Sequence, residues 1–314
     1  MQQTNLAGIE LSSFCFNASG INNEILKQLE KIASSGSSAI LLKSATLEER
    51  TGNENPKYIV KSNLIPGSTL NSMGLPNKGI AENLEFIKSL KSSQPKPVIA
   101  SISGFSTVEN IQMLNQICTQ NLVNLIEINL SCPNIGHKRL LGYEPEAVDK
   151  FLTETDKIET KIPFGIKLPP YLEEFYFDEI SEIILKHKVG FITCTNTLGN
   201  AIVINSDTES VLIKPNYGRG GLAGDYLKPI ALSNVNSFFR RLNGKISIVG
   251  VGGIRTGRDA FQYLLAGADC VQIGSGFAQE GISIFEKVNN ELAQILKEKG
   301  YKSIFEAKGK LKFL

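Results

Sequence analysis

The chain has 314 residues, of which 42% are hydrophobic and 20% are charged. Lys and Arg number 33 and Asp and Glu number 31, so the formal net charge of +2 excludes proteins that bind nucleic acids through a strongly basic surface. The hydrophobic fraction is that of globular proteins, which excludes the disordered and collagen-like classes. The length fits two small domains or one α/β barrel, since single barrels commonly run to about 250 residues or more.

Five cysteines and two histidines limit the chemistry that the chain can carry. An odd number of cysteines without C-x-x-C spacing argues against a disulfide framework and against a local zinc or iron–sulfur site. The first residues lack the pattern of a secretory signal, and no apolar run is long enough to span a membrane. We therefore expect a cytoplasmic protein with reduced thiols and no bound metal, membrane or nucleic acid. Its reaction must depend on Lys, Cys, Asn or a cofactor.

Residues 4–13 predict a small β-hairpin at one end of the fold. Eight short apolar, β-branched runs follow it, and each has the length of a strand buried on both faces, as in a parallel sheet. These predicted strands cover residues 14–16, 39–42, 98–102, 125–130, 164–168, 191–194, 246–249 and 270–273.

Amphipathic stretches separate the predicted strands. Ser106 and Glu109 form a capping-box pattern ahead of one helix, and an apolar stripe from Phe285 to Ile295 marks a long final helix. Weaker helical signals cover about 22–34, 78–91, 145–160, 173–187, 229–242 and 256–267. Eight strands alternating with eight helices predict a TIM (β/α)8 barrel, in one domain over residues 1–314. A doubly wound open sheet also fits the alternation, but its G-x-G-x-x-G turn is missing after the first strand.

Two stretches are longer than ordinary connections between a strand and a helix. Residues 45–76 and 198–228 are rich in Gly, Pro and Asn, and both follow predicted strands. Long loops over the carboxyl face of a barrel are usually functional. We therefore expect both loops to act as lids over a site at that face.

Polar or small residues follow each predicted strand directly. The carboxyl ends of barrel strands converge on one face, so these residues are expected to surround a single pocket. They are Asn17, Ser19, Lys43, Ser44, Ser101, Ser103, Asn129, Ser131, Cys132, Lys167, Thr195, Asn196, Thr197, Gly252, Gly253, Gly274 and Ser275.

The glycine-rich turns after the last two predicted strands indicate a phosphate site. Gly250-Val-Gly-Gly-Ile254 and Gly274-Ser-Gly276 occupy the positions where barrels commonly hold a phosphate. Glycine lets backbone N–H groups approach phosphate oxygens, and the following helix N-terminus favours an anion. A ligand with one phosphate group, such as FMN, fits this pattern.

Lys43 and Lys167 are each embedded between apolar residues of a predicted strand. A lysine held there must meet an anion or lose its proton. Two roles are open: cations that stabilise negative charge on a reduced flavin or a substrate carboxylate, or one Schiff-base lysine of an aldolase. A lysine that extends out of the sheet to solvent is the structural alternative.

Cys132 and Asn71 are the remaining candidates for chemistry. Cys132 lies in Asn129-Leu-Ser-Cys-Pro-Asn134, and a thiol near two lysines is suited to act as a base or a nucleophile. Asn71, in the first long loop, suits the edge of an imide or amide ring. The other four cysteines are expected to be small buried side chains.

Several of these segments together resemble one family. They include Asn17-Ala-Ser-Gly20, Lys43-Ser44, N-S-M-G-L-P-N at 71–77, N-L-S-C-P-N at 129–134, Lys167-Leu-Pro-Pro-Tyr171 and Gly252-Gly253. The chain resembles the class 1A dihydroorotate dehydrogenases, and the matching segments run nearly from end to end. The resemblance implies an FMN-bearing barrel that oxidises dihydroorotate to orotate in pyrimidine (UMP) biosynthesis, with fumarate as acceptor, and that is usually a homodimer.

The resemblance also implies residue roles. Cys132 would be the base that takes the proton from C5 of dihydroorotate while hydride leaves C6 for flavin N5, with Lys43 beside it as a second catalytic residue. The substrate site would consist of Lys43, Asn71, Met73, Gly74, Leu75, Asn129, Asn134, Asn196 and Thr197. The flavin contacts would be Ala18, Ser19, Lys43, Ser44, Asn129, Lys167, Gly221, Gly252, Gly253, Gly274 and Ser275.

Several segments depart from the family pattern, among them Asn196-Thr197 in place of the usual N-S and Gly274-Ser-Gly276 in place of the usual G-T-A. Lys57 stands where the family usually has arginine, the stretch between Tyr58 and Asn71 is slightly lengthened, and residues 135–144 differ from the usual sequence after N-L-S-C-P-N. A paralogous flavin oxidoreductase acting on a related cyclic imide is therefore one alternative. A Schiff-base aldolase barrel and a barrel that binds a phosphorylated ligand without turnover are the others.

Overall fold

The computed structural model describes residues 2–131 and 140–314. Over these residues the strands are β1 (Thr4–Leu6), β2 (Ile9–Leu11), β3 (Cys15–Asn17), β4 (Ile40–Leu41), β5 (Tyr58–Ile59), β6 (Ser68–Asn71), β7 (Val98–Ile102), β8 (Leu125–Asn129), β9 (Phe164–Leu168), β10 (Val189–Cys194), β11 (Leu198–Ile202), β12 (Ile204–Asn205), β13 (Ser210–Val211), β14 (Arg219–Gly224), β15 (Ser247–Val251) and β16 (Cys270–Ile273).

The α-helices of the same residues are α1 (Leu26–Ala33), α2 (Gly79–Ser93), α3 (Thr107–Gln120), α4 (Pro145–Thr155), α5 (Glu174–Lys186), α6 (Lys228–Leu242), α7 (Gly257–Ala266), α8 (Ser275–Glu280), α9 (Ile284–Glu298) and α10 (Ile304–Ala307). None of these helices has the length and apolar character needed to cross a membrane.

Eight of the strands form one parallel sheet in the order β3-β16-β15-β10-β9-β8-β7-β4. The two end strands, β3 and β4, lie side by side, and the side-chain amide of Asn17 joins them: its Nδ2 donates to the carbonyl of Leu41 at 2.7 Å, and its Oδ1 accepts from the N–H of Leu41 at 3.0 Å. Helices α1 to α7 lie between successive barrel strands, α9 follows the last strand, and all of them pack on the outside. The predicted (β/α)8 barrel is confirmed.

The interior of the barrel has an apolar layer and a polar layer. At the amino end, side chains from seven barrel strands pack together with Leu6 and Leu11 of the predicted hairpin, β1 and β2, which closes this end. Side chains on one face of a strand recur every second residue, and two residues further along most of these strands carry a polar inward side chain, although Ala18 and Val251 are apolar. On β8, for example, buried Leu125 is followed by buried Glu127 and then by Asn129.

The two long loops, predicted as lids over the carboxyl face, contain strands that the sequence did not indicate. Segments of both loops pair in one antiparallel sheet in the order β11-β14-β6-β5, and β12 pairs with β13 in a separate hairpin. The strands are two to six residues long and contain several glycines, so neither length nor β-branched composition marks them in the sequence.

The boundaries of the predicted barrel strands and helices differ from those of the structure by a few residues. The cap of α3 also differs from its prediction in one hydrogen bond. Ser106 accepts a bond from the N–H of Glu109, as the capping-box pattern predicts, but the Glu109 carboxylate accepts from the N–H of Phe105 instead of that of Ser106. A short helix not predicted from the sequence, α8, begins directly after the last barrel strand.

One titratable residue connects two outer helices. His187, at the end of α5, has its Nδ1 2.7 Å from Asp156 and its Nε2 3.0 Å from Asp149 of α4. Burial by itself lowers the pKa of His187, but the hydrogen bonds and charges of the two carboxylates outweigh it and raise the pKa above its ordinary value of 6.5.

We predict that His187→Gln makes the free energy of unfolding less dependent on pH between 6 and 9. The pKa is raised in the folded state, so the stabilisation is complete below the unfolded value and is lost as pH rises through the folded value. Urea titrations at pH 6 and pH 9 should show wild type exceeding the variant by at most about 1 kcal/mol at pH 6, and by less at pH 9. An equal difference at both pH values would contradict this.

Candidate active site

A cavity opens at the carboxyl face of the barrel, beneath the sheet formed by the two long loops, and encloses about 1080 Å³ including its open mouth. Its lining comes from Ala18, Ser19, Gly20, Ile21, Lys43, Ser44, Tyr58, Thr69, Asn71, Met73, Leu75, Asn129, Lys167, Thr195, Asn196, Thr197, Ala223, Gly224, Leu227, Val251, Gly252, Gly253, Ile254, Gln272, Gly274 and Ser275.

Most of the residues singled out in the sequence lie around this cavity. They are Ala18, Ser19, Lys43, Ser44, Asn71, Met73, Leu75, Asn129, Lys167, Asn196, Thr197, Gly252, Gly253, Gly274 and Ser275. Gly74 and Gly221 do not line it. Cys132 and Asn134 lie outside the described residues.

Gly74 and Gly221 support the lining from behind. A Cβ on Gly74 would lie 2.4 Å from the side-chain oxygen of Asn53, and one on Gly221 would lie 2.1 Å from the hydroxyl of Thr197. The carbonyl of Gly221 also accepts a bond of 3.2 Å from Nδ2 of Asn71. These glycines therefore permit the close approach of neighbouring segments and contribute no surface to the cavity.

Lys43 reaches the cavity from the end of the second barrel strand. The residue is 8% exposed, and its Nζ donates to the carbonyl of Gly20 at 2.6 Å and lies 3.7 Å from the carboxylate of Glu24. The side chain therefore does not extend to bulk solvent. Its ammonium is held at the rim next to Ala18–Ile21, a segment that itself lines the cavity.

Lys167 lies deeper, on β9. It is 5% exposed, and among the described residues its Nζ donates one long hydrogen bond of 3.5 Å to Oε1 of Gln272. An ammonium has three donors, and burying it without partners costs free energy. Its position at the cavity wall, with donors to spare, suits an acceptor-rich or anionic ligand.

Amide side chains line the wall between the two lysines. Nδ2 of Asn196 donates to Oδ1 of Asn129 at 3.1 Å and to the carbonyl of Ser131 at 2.9 Å, and Oδ1 of Asn196 accepts from the N–H of Thr197 at 2.8 Å. Asn71 approaches from the opposite side, since the sheet of the long loops places it next to Tyr58 and Gly221.

The last two glycine turns form the remaining wall. Gly253 has a φ of +64°, and Gly252 is fixed by a bond of 2.6 Å from the Tyr263 hydroxyl to its carbonyl. Helix α8 begins at Ser275, at the cavity, and its first N–H groups have no partner within the helix. Backbone donors at two adjacent turns provide the arrangement expected of a phosphate site.

Hydroxyl groups complete the lining. Ser19 and Ser44 are 3.0 Å apart at their oxygens, and Ser44 and Ser101 are 2.8 Å apart. Thr195 is 2% exposed, and its hydroxyl has no hydrogen-bond partner among the residues described. A buried hydroxyl at a cavity wall without a partner in the protein is an available donor for a ligand.

The sequence did not single out Tyr58, Thr69 or Gln272 as lining residues, although all three contact the cavity. Burial raises the pKa of Tyr58 to about 12, with a partial offset from its bond to Thr69, so the phenol stays neutral. Gln272 had a recognisable signal, because it is a polar residue within an apolar strand, as the two lysines are.

The four described cysteines do not line the cavity. Three are buried as predicted, and burial raises the pKa of the Cys15 thiol to about 12 and that of Cys194 well above its usual value. Cys118 on α3 is only half-buried, although it packs against the hydrophobic core, so its prediction as a small buried side chain is met in part.

The fold and the cavity define a class: a (β/α)8 barrel whose carboxyl face carries a cavity lined by two glycine turns and by lysine and asparagine side chains. Comparison with known sequences identifies the family. The sequence model of the dihydroorotate dehydrogenases matches residues 1–296, and the chain belongs to this family.

Three relatives illustrate the match. The chain is 44% identical to dihydroorotate dehydrogenase (fumarate) of Kluyveromyces lactis over 298 residues, covering 94% of the chain and 93% of the relative. It is 43% identical to dihydroorotate dehydrogenase A (fumarate) of Lactococcus lactis subsp. lactis over the full length of both. It is 39% identical to the probable dihydroorotate dehydrogenase A (fumarate) of Streptococcus pneumoniae serotype 4, covering 99% of the chain and 98% of the relative.

We predict that Gly253→Ala destabilises the protein far more than Gly244→Ala. Both glycines have a positive φ, +64° and +74°, but a Cβ at 253 would lie 2.7 Å from the carbonyl oxygen of Gly224, whereas at 244 it would meet open space. The control carries only a backbone cost of about 1 kcal/mol, and the steric conflict at 253 adds ~1–3 kcal/mol. Thermal unfolding of both variants measures the difference, and equal losses would refute it.

Proposed function

We propose that the protein is an FMN-dependent oxidoreductase that converts (S)-dihydroorotate to orotate in UMP biosynthesis, with fumarate as electron acceptor. The observation that carries the proposal is the pairing, in one cavity, of two buried lysines with an asparagine-lined wall and two glycine turns. The names of the relatives, which give fumarate as the acceptor, support the same reaction.

Three features of the cavity fit FMN. The ammonium of Lys167 has donors to spare beside the cavity, and the buried hydroxyl of Thr195 has no partner among the described residues. The backbone at Gly252 and Gly253 and the first turn of α8 provide N–H donors for a phosphate. The remaining proposed flavin contacts are Ala18, Ser19, Lys43, Ser44, Asn129, Gly274 and Ser275, with Gly221 acting from behind the wall.

When bound, FMN supplies the acceptor for the hydride that leaves C6 of dihydroorotate. Lys167 would offset the negative charge that develops at the pyrimidine end of the cofactor, because a buried cation acts strongly on nearby charge in a site that excludes water. The serine hydroxyls at 19, 44 and 101 would orient polar edges without adding charge.

The substrate would bind between Lys43 and the asparagine side chains. Lys43 pairs with the substrate carboxylate, and the amides of Asn71, Asn129 and Asn196 match the donors and acceptors of its imide ring. Thr197, Met73 and Leu75 would close the sides of this pocket, with Gly74 behind them. Asn134 stays a proposed contact from the family resemblance.

Cys132 is the proposed base that takes the proton from C5, so that loss of this proton and of hydride from C6 leaves the C5–C6 double bond of orotate. This role rests on the family resemblance, since the residue lies outside the described part of the chain. Ser131, the last described residue before it, is buried and its hydroxyl contacts both Asn129 and the carbonyl of Lys167. Ser131 is therefore bonded to Asn129 and Lys167, two residues that line the cavity.

The chain is further proposed to act as a cytoplasmic homodimer with one FMN-binding domain over residues 1–314. The end of β11, the hairpin of β12 and β13 and the segment after it carry exposed apolar side chains suited to a subunit contact. These are Ile202, Ile204, Val211 and Tyr217, with Tyr217 88% exposed.

We expect the purified protein to carry FMN, to lose its visible flavin absorbance on anaerobic addition of dihydroorotate, and to recover it with fumarate while orotate forms. Orotate formation is followed by its ultraviolet absorbance. A colourless protein that forms a borohydride-trapped adduct on Lys167 would instead support the Schiff-base alternative. Flavin that dihydroorotate leaves oxidised would overturn the proposed substrate.

We predict that Cys132→Ser slows flavin reduction by dihydroorotate at least about a hundredfold at pH 7, because a hydroxyl is a much weaker base than a thiol. Stopped-flow absorbance measures this step, and the variant should recover part of the rate as pH rises. Cys118→Ser is the matched control, since this half-buried thiol lies on α3 away from the cavity. Equal reduction rates in the two variants would remove Cys132 from its role.

A further inference from the structure

A buried carboxylate lies beneath the cavity and is not part of its lining. Glu127 of β8 is 1% exposed, and no other glutamate among the described residues is buried. It points into the barrel within the polar layer, above the apolar layer to which Leu125 belongs. A carboxylate in this position costs free energy unless nearby charge or hydrogen bonds compensate it.

Both described partners of Glu127 are donors. The Thr193 hydroxyl donates to Oε2 at 2.8 Å, and Nε2 of Gln272 donates to the same oxygen at 2.6 Å. The other oxygen, Oε1, is buried and has no hydrogen-bond partner among the described residues. Two bonds donated to one oxygen are the pattern that an ionised carboxylate, which only accepts, can satisfy.

Gln272 connects this carboxylate to the cavity. Its Nε2 faces Glu127, and its Oε1 faces Nζ of Lys167 at 3.5 Å. The reverse orientation would set the amide oxygen against a carboxylate oxygen and the amide nitrogen against an ammonium, two repulsive contacts. Glu127 therefore fixes which end of the Gln272 amide meets Lys167.

We propose that Glu127 is the buried counter-charge of Lys167, acting through the Gln272 amide, and that it sets how strongly Lys167 favours the reduced flavin. Glu127 is a positioning residue, because Gln272 and Lys167 line the cavity and Glu127 does not. The proposal rests on FMN binding as proposed above. In this proposal the anion in the barrel interior, Glu127, adjusts the effect that the cation at the cavity wall, Lys167, has on the flavin.

The sign of the effect follows from the charges. A reduced flavin carries more negative charge than an oxidised one, so a cation at the wall favours reduction and a buried anion behind that cation opposes it. Removing the charge of Glu127 should raise the midpoint potential of the bound flavin. Removing the charge of Lys167 should lower it.

Glu127→Gln is the direct test, because the new side chain keeps the shape and still offers one oxygen to Thr193 and Gln272. Thr193→Val is the matched control, since it removes one hydrogen bond to Glu127 and leaves its charge in place. We expect Glu127→Gln to increase the ratio of reduced to oxidised FMN affinity about tenfold, a rise of ~30 mV for a two-electron couple. Thr193→Val should lower the melting temperature and leave the potential at the wild-type value.

Spectroelectrochemical titration of the FMN-loaded proteins against a reference dye measures these potentials. An unchanged potential in Glu127→Gln, or an equal shift in Thr193→Val, overturns the proposal. If wild type binds no FMN, the proposed function fails. If wild type binds FMN and forms orotate but Glu127→Gln leaves the potential unchanged, only this inference fails.

A measurement on wild type keeps the proposal testable if Glu127→Gln does not fold. Redox difference infrared spectra of protein labelled with ¹³C-glutamate report the state of the buried carboxyl group. We expect flavin reduction to perturb an ionised carboxylate band. A protonated carboxylic acid band in both redox states would show that Glu127 carries no counter-charge.

Discussion

The side-chain amide of Asn17 closes the barrel, and the geometry of the carboxyl face depends on that closure. The end strands β3 and β4 are not paired as a ladder in the eight-stranded sheet, and the amide supplies one donor and one acceptor to the backbone of Leu41, as a neighbouring peptide unit would. Asn17 is fully buried, so an apolar residue there would leave the N–H of Leu41 unpaired at about 1–3 kcal/mol, whereas the carbonyl of Leu41 would keep its bond of 2.9 Å from Nδ2 of Asn23. Because Ala18 and Ser19 follow it and Lys43 and Ser44 follow Leu41, one amide aligns both sides of this wall.

Along the barrel axis, an apolar layer that stabilises the fold lies below a polar layer that supports the cavity. The apolar layer at the amino end packs against the hairpin and contains no charged side chain among its described members. The layer above it holds Glu127, Thr193, Gln272 and Lys167 on four strands, joined by hydrogen bonds. A buried network of this kind is stable only when its members compensate one another. The cavity therefore lies above a buried polar network, in which Gln272 connects Lys167 at the cavity wall to Glu127 beneath it.

Strand and helix positions could be read from the sequence because buried parallel strands and amphipathic helices have strong patterns. Lys43 and Lys167 stand out in the sequence as polar residues inside apolar strands. Glu127 and Gln272 have the same pattern, although we did not predict a role for either. The sheet of the long loops has no comparable signal. The residues alone also left the flavin and Schiff-base roles of the lysines open, because a buried lysine serves either. Only the match of whole segments to a family separated them.

That sheet of loops has a consequence for how the family can vary. Asn71 faces its neighbours through pairings with Tyr58 and Gly221, and a shift of one residue in either strand would turn its side chain to the opposite face. An insertion between paired segments leaves this register unchanged. Residues 60–67, which connect β5 and β6, are such a segment, and they lie within the stretch between Tyr58 and Asn71 that the sequence predicts to be lengthened. The connection at residues 60–67 can thus change in length while the side chain of Asn71 keeps its orientation toward the cavity.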